Sequence, residues 1–251
     1  MPLPTTAEDP WIRRYVDADR RAEAVVRLVC FPHAGGSAGY FRPLAQALAP
    51  RFETLAIQYP GRQDRRREHL PESMAELADA AFASLRHRVE PPFAFFGHSL
   101  GAVLAFEVTR RFEQLTPTGP VRLFASARRA PSVARNESVH LLDDRGLIQE
   151  IKRLGGTDPA VLDDPELREL VLPVVRADYR AVETYACPPG ARVTCPVSVF
   201  AGSSDPVTPV EEAAAWGLHT TKEADTRVFD GGHFYPDGNW PALAAAISAV
   251  L

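Results

Sequence analysis

Phe93-Ala94-Phe95-Phe96-Gly97-His98-Ser99-Leu100-Gly101-Ala102-Val103-Leu104-Ala105-Phe106-Glu107-Val108 is the stretch on which the reading of this chain turns. An apolar run of strand type comes first, then G-x-S-x-G, then apolar residues at helical spacing. That strand–turn–helix setting is what a nucleophile elbow requires. The turn is so tight that the residues flanking the serine must be small, and Gly97 and Gly101 meet that need. Ser99 is then presented at a sheet edge beside the start of a helix. It is a candidate nucleophile if a base and an acid reach it from elsewhere.

Working outward, Arg27 to Phe31 reads as a buried strand stopped by Pro32, and Phe52 to Tyr59 as a second stopped by Pro60-Gly61. Val121 to Ala125, Val197 to Gly202 and Thr226 to Phe229 complete the strands. Helices are predicted over Phe41 to Leu48, from the capping box Ser73…Glu76 to about Val89, and from the elbow to about Gln114. A last one follows Asn239-Trp240-Pro241, with Asn239 as N-cap. Strands alternating with helices predict the α/β class, a mostly parallel central sheet with helices on both faces. Residues 1–251 read as one domain. From about Val139 to Tyr185 there is no strand signal; Leu147, Ile148, Ile151 and Leu154 share one helical face. Asp164-Pro165-Glu166 then opens a longer helix with Leu167, Leu170, Val171, Val174 and Val175 apolar. This helical insertion is read as a lid, because segments after strand ends carry function in such folds.

Bulk properties exclude several classes. Apolar residues are 45% and charged residues 24%, the balance of an ordinary soluble globular protein. A net charge of −4 makes no general case for nucleic acid or an anionic membrane. No apolar stretch is long enough to span a bilayer. Met1 to Arg14 has no apolar core and is not a signal peptide. The three cysteines, Cys30, Cys187 and Cys195, cannot all pair and have no metal spacing, so reduced thiols and a cytoplasmic location are expected.

A serine alkoxide needs a neutral imidazole within reach and a carboxylate that holds its tautomer. In the order Ser…Asp…His the histidine comes last. His233 follows a strand end in a glycine-containing loop. His219 sits at an apparent helix end, where a C-terminal cation suffices to explain it. Asp205 follows the Val197 strand in Gly202-Ser203-Ser204-Asp205-Pro206, on the same sheet edge; Asp230, close to His233, is the rival that shapes the loop. The oxyanion hole needs two backbone N–H groups. Leu100, after the nucleophile, supplies one, and Ala34 in Phe31-Pro32-His33-Ala34-Gly35-Gly36-Ser37 the other. Gly35-Gly36 as a phosphate cradle is the weaker use, since the P-loop lysine is missing. His33 and His98 have a plain alternative as loop histidines satisfied by neighbouring backbone.

These motifs, with Tyr59-Pro60-Gly61-Arg62 and Gly232-His233-Phe234-Tyr235, occur in one order from about Arg27 to the C-terminus. Together they resemble the stand-alone (type II) thioesterases of polyketide and nonribosomal peptide synthesis. The resemblance implies an α/β-hydrolase core with a helical lid. It implies hydrolysis of acyl groups from the phosphopantetheine arm of carrier proteins, clearing stalled or aberrant units. It carries over Ser99, Asp205 and His233 as triad and Ala34 and Leu100 as oxyanion donors. No metal or cofactor is expected, the pantetheine being part of the substrate. The partner implied is an acyl or peptidyl carrier protein, with the chain itself expected to be a monomer. Arg62, Arg65, Arg66 and Arg67, and Arg128, Arg129 and Arg135, form two basic clusters that are either solvated surface or docking sites for an acidic carrier. Rival readings are a general carboxylesterase, a terminating domain cut from a megasynthase, and a catalytically silent hydrolase fold that binds ligands. Met1 and the short polar leader are read as favouring an independent chain over the cut domain.

Overall fold

A computed structural model describes residues 9–16, 24–156 and 159–251. Seven strands form one sheet: β1 (Ile12–Arg14), β2 (Val26–Phe31), β3 (Phe52–Ile57), β4 (Phe93–His98), β5 (Leu123–Ser126), β6 (Val197–Gly202) and β7 (Ala224–Phe229). Their order is β1-β3-β2-β4-β5-β6-β7; β1 runs antiparallel to β3 and every other pair is parallel. The α/β expectation therefore holds, with one edge strand added. Ile12–Arg14 lies in the leader, and with only three residues and one buried apolar side chain it carries no periodicity to read.

Alternation along the strands sorts the core into two layers. Val29, Phe31, Leu55, Ile57, Phe93 and Phe95 face one side, packing with α2 (Met74–Leu85) and α3 (Leu100–Leu115). Leu28, Cys30, Ala56, Ala94 and Phe96 face the other, against α1 (Arg42–Leu48) and α8 (Trp240–Ser248). Ser73 caps α2 by accepting from the Glu76 amide, as the capping box requires. The reciprocal bond is shifted by one residue, the Glu76 carboxylate accepting from Glu72 N. The helix ends at Leu85, a turn short of the expected Val89; Pro91-Pro92 follows closely, and residues before proline disfavour helix.

Between β5 and β6 lies the helical insert: α4 (Asp144–Leu154), α5 (Pro159–Asp163) and α6 (Pro165–Glu183). Asp143 and Asp164 cap α4 and α6 through their carboxylates. Leu147, Ile151, Leu162, Leu172 and Val175 form a small core of their own. Leu167 and Leu170 lie outside it and are exposed, so the apolar face of α6 is narrower than its sequence suggests. A short helix α7 (Val210–Ala214) follows β6. No helix among the described residues is long and apolar enough to cross a membrane.

Since β2 to β7 are parallel, their carboxyl ends share one edge. The chain leaves β2 toward β3 on one side and returns to β4 on the other. The crevice of such a sheet opens at that reversal. Ala34 follows β2, Ser99 follows β4, Asp205 follows β6 and His233 follows β7.

Candidate active site

Ser99 lies between β4 and α3 with φ 55 and ψ −117, a strained backbone for a residue with a side chain. Crowding enforces the bend. A Cβ on Gly97 would lie 2.1 Å from the Gly101 carbonyl oxygen, and one on Gly101 2.0 Å from that of Phe31. A side chain at Gly101 would force the elbow off the end of β2, and one at Gly97 would push the first turn of α3 away from β4.

His233 Nε2 lies 3.0 Å from Ser99 Oγ, and His233 Nδ1 lies 2.8 Å from Asp205 Oδ2. The second Asp205 oxygen accepts from Val207 N at 2.9 Å and Thr208 N at 3.2 Å. An ionised Asp205 therefore holds the Nδ1–H tautomer and leaves Nε2 as acceptor for the Ser99 hydroxyl. Asp230 accepts from Ser203 Oγ in the same loop pair. Asn239 occupies the N-cap position of α8, as expected, but its side chain makes no capping hydrogen bond. Its amide nitrogen donates to the carbonyls of Tyr235 and Asp230, tying Asn239 to the His233 loop, and Pro241 at the second helical position has no N–H for a cap to accept.

His33, Ala34, Gly35 and Gly36 form a turn, with the His33 carbonyl accepting from Gly36 N at 3.0 Å and Gly35 at φ +74. That is type II geometry. Among the described residues neither the Ala34 nor the Leu100 amide has a protein acceptor. Ala34 and Ser99 border one small cavity, lined also by Ile151, Leu154, Val175 and Tyr179 of the insert and by Phe234. Its volume is about 30 Å³, room for a water or two and not for an acyl chain.

His33 and His98 are buried, and among the described residues no hydrogen bond joins either ring to the backbone of its own loop. His98 Nδ1 meets Ser126 Oγ at 2.9 Å, and Ser126 Oγ meets Tyr235 OH at 2.6 Å, a polar chain behind His233. Burial, aided by the nearby His233 and Arg62, pushes His33 down to about 3. Burial also holds His98 well below the usual histidine range, with His233 and His33 contributing. Between pH 6.5 and about 3 the unfolded chain binds a proton at His33 that the folded chain refuses, so stability falls as pH falls through that window. By pH 5 the loss at His33 is about 2 kcal/mol, and His98 adds in the same direction. Urea unfolding at pH 7.5 and pH 5 should show this loss, and His33→Leu should reduce it. An unaltered pH dependence in that variant would contradict the assignment.

His219 ends a short 3-10 helix (Ala215–His219), as expected, but is not an exposed cation there. It is buried, its Nδ1 bonds the Ala191 carbonyl and its Nε2 Ser132 Oγ, and burial lowers its pKa. The basic clusters also dissolve on folding. Arg62 and Arg65 point inward, Arg62 onto Asp178 and Arg65 onto the Gln58 carbonyl and Glu68. Arg66 and Arg67 alone of the first four are exposed. Arg129 pairs with Glu137 and Arg135 with Glu212, while Arg128 is half-buried. The three cysteines are free.

A sheet of this order with a serine elbow and these partners at its carboxyl edge defines an α/β-hydrolase. The family model described as "Thioesterase domain" matches residues 26–251. The chain is 48% identical over 250 residues to a probable cadicidin biosynthesis thioesterase of Streptomyces griseus, covering 98% of this chain and 68% of that one. It is 49% identical over 242 residues to thioesterase PikA5 of Streptomyces venezuelae, covering 96% and 85%. The solved type II thioesterase BorB from the borrelidin biosynthetic cluster superposes with a TM-score of 0.88 at 46% identity, covering 98% of this chain and 99% of that one. This chain belongs to the thioesterase family and is a hydrolase of thioesters.

Proposed function

We propose that this thioesterase removes acyl groups from the phosphopantetheine arm of an acyl or peptidyl carrier protein in a polyketide or nonribosomal peptide synthase. Ser99 is the nucleophile in this reading, His233 the base and Asp205 its orienting partner. The carrying observation is the 3.0 Å approach of His233 Nε2 to Ser99 Oγ at a bend that exposes the hydroxyl. The names of the relatives support the substrate class.

Ser99 Oγ adds to the thioester carbonyl as its proton passes to His233 Nε2. The oxyanion then meets the Ala34 and Leu100 amides. Collapse breaks the C–S bond, and the sulfur leaves as a thiolate that recovers the proton from His233. A thiol leaves more readily than an alcohol or amine, so this protonation matters less. Water, deprotonated by His233, next attacks the acyl-serine, releasing the carboxylic acid and restoring Ser99. Serine, imidazole, carboxylate and two amides supply every step, and the chemistry calls for no metal or cofactor. The insert acts as a lid, since the cavity beneath it must widen before an acyl chain enters. All groups in the site come from one chain, which supports action as a monomer, and a synthase-borne substrate supports a cytoplasmic location.

Intact-mass analysis of carrier proteins loaded with acyl groups of several lengths tests the reading. The acyl mass should disappear on treatment, leaving the holo-carrier. It should persist with protein blocked by a fluorophosphonate whose adduct maps to Ser99. Retention of the acyl mass by protein that still cleaves the matching oxyester would favour an esterase and overturn the proposal.

A further inference from the structure

Helix α6 reaches the turn that carries Ala34 through one buried carboxylate. Asp178 Oδ2 accepts from Gly35 N at 2.7 Å and from the Arg62 guanidinium. One helical turn earlier, Val175 packs on the same glycine; a Cβ there would lie 2.7 Å from Val175 Cγ2. Arg62 also donates to the Gly36 carbonyl at 3.3 Å and the Pro60 carbonyl at 2.7 Å. Its guanidinium lies 5.2 Å from the centre of the Tyr59 ring, and the Tyr59 hydroxyl donates to the Pro32 carbonyl at 3.0 Å. The turn is thus anchored at residues 32, 35 and 36, with the unbonded Ala34 amide between the anchors.

Planarity makes these anchors matter. The His33 carbonyl points at Gly36 N, so the Ala34 N–H of the same trans peptide points away from it, out of the turn. The central Ala34–Gly35 peptide distinguishes type II from type I geometry, and its N–H is the one Asp178 accepts. A lone carboxylate here would oppose an oxyanion, and Arg62 offsets that charge.

We propose that Asp178 is a positioning residue. Held by Arg62, it fixes the Gly35 amide and through it the Ala34 N–H, so that the oxyanion donor is in place only while helix α6 rests on the turn. This deepens the proposed function and rests on Ala34 being an oxyanion donor.

The test measures kcat, KM and melting temperature on a small acyl-pantetheine thioester, with affinity for an alkylboronic acid that forms a tetrahedral adduct on serine. Asp178→Ala should lower kcat about 10- to 100-fold, as a misplaced group does, with KM within about threefold. Boronate affinity should fall in parallel. Asp178→Asn keeps an oxygen for Gly35 N–H and should recover most of the kcat. Arg62→Met/Asp178→Leu removes both buried charges and strands neither; it should fold, with a melting temperature lowered only by the Gly35, Gly36 and Pro60 backbone groups it leaves unpaired, yet stay as slow as Asp178→Ala. Parental kcat in the double variant, or losses that only track the folded fraction, would overturn the inference. Ala34→Pro separates it from its premise. Full activity of that variant would fail the donor assignment itself, whereas a slow Ala34→Pro beside a fast, folded Asp178→Ala would fail only the role of Asp178.

Discussion

Asp205→Asn is expected to lower kcat about 10⁴-fold with little change in melting temperature. The reason lies in which way the new amide must face. Asp205 Oδ1 accepts from two backbone amides, Val207 N and Thr208 N, while Oδ2 faces His233 Nδ1. Keeping the amide oxygen on the two backbone donors turns the NH₂ toward His233. The opposite orientation leaves two N–H groups facing a donor, at about 1–3 kcal/mol each, more than a change of imidazole tautomer costs. His233 therefore takes its proton on Nε2 and presents N–H to Ser99, where an acceptor is needed. Steady-state hydrolysis of an acyl thioester at neutral pH, with circular dichroism to show the fold, checks this. Turnover near the parental rate would mean that His233 is oriented by some other group or is not the base.

Ala34→Pro is expected to cost about 10²- to 10³-fold in kcat, the usual loss of one oxyanion donor. Ala34 occupies the second position of a type II turn, where proline's fixed φ fits. The turn then persists while one N–H disappears. Because the donor acts on charge that develops in the transition state, KM should move much less than kcat. The comparison is between kcat, KM and boronate affinity for parent and variant. A variant with unchanged kcat and intact fold would assign the oxyanion to other donors.

Much of this site is legible locally. The elbow is a run of residues whose strand, turn and helix preferences agree, and Gly97 and Gly101 stand where the backbone approaches too closely for any Cβ. Asp205 and His233 follow from one topological fact: parallel strands put the residues after their carboxyl ends on one edge. Asp178 is not legible in this way. It lies within a helix whose apolar spacing draws attention elsewhere, and its partners Gly35 and Arg62 are 143 and 116 residues distant. Arg62 and Arg65 sit in a run of cations that reads as surface, yet both find buried acceptors. Asn239 has the right type and place for a cap, but two carbonyls of the His233 loop claim its amide.

What the sequence determined by itself is the α/β alternation, the serine at its elbow and the placing of Asp205 and His233 on the same sheet edge, since each depends on neighbours within a few residues or on the rule that parallel strands share an edge. What only the tertiary structure decided is how the turn at Ala34 is held, which arginines are structural, and that residues of the insert line the small cavity beside Ser99. The hold on the turn depends on groups meeting across more than a hundred residues, and the arginines on which of the nearby acceptors folding buries beside them; burial makes each such partner compulsory, and no local pattern records which it will be.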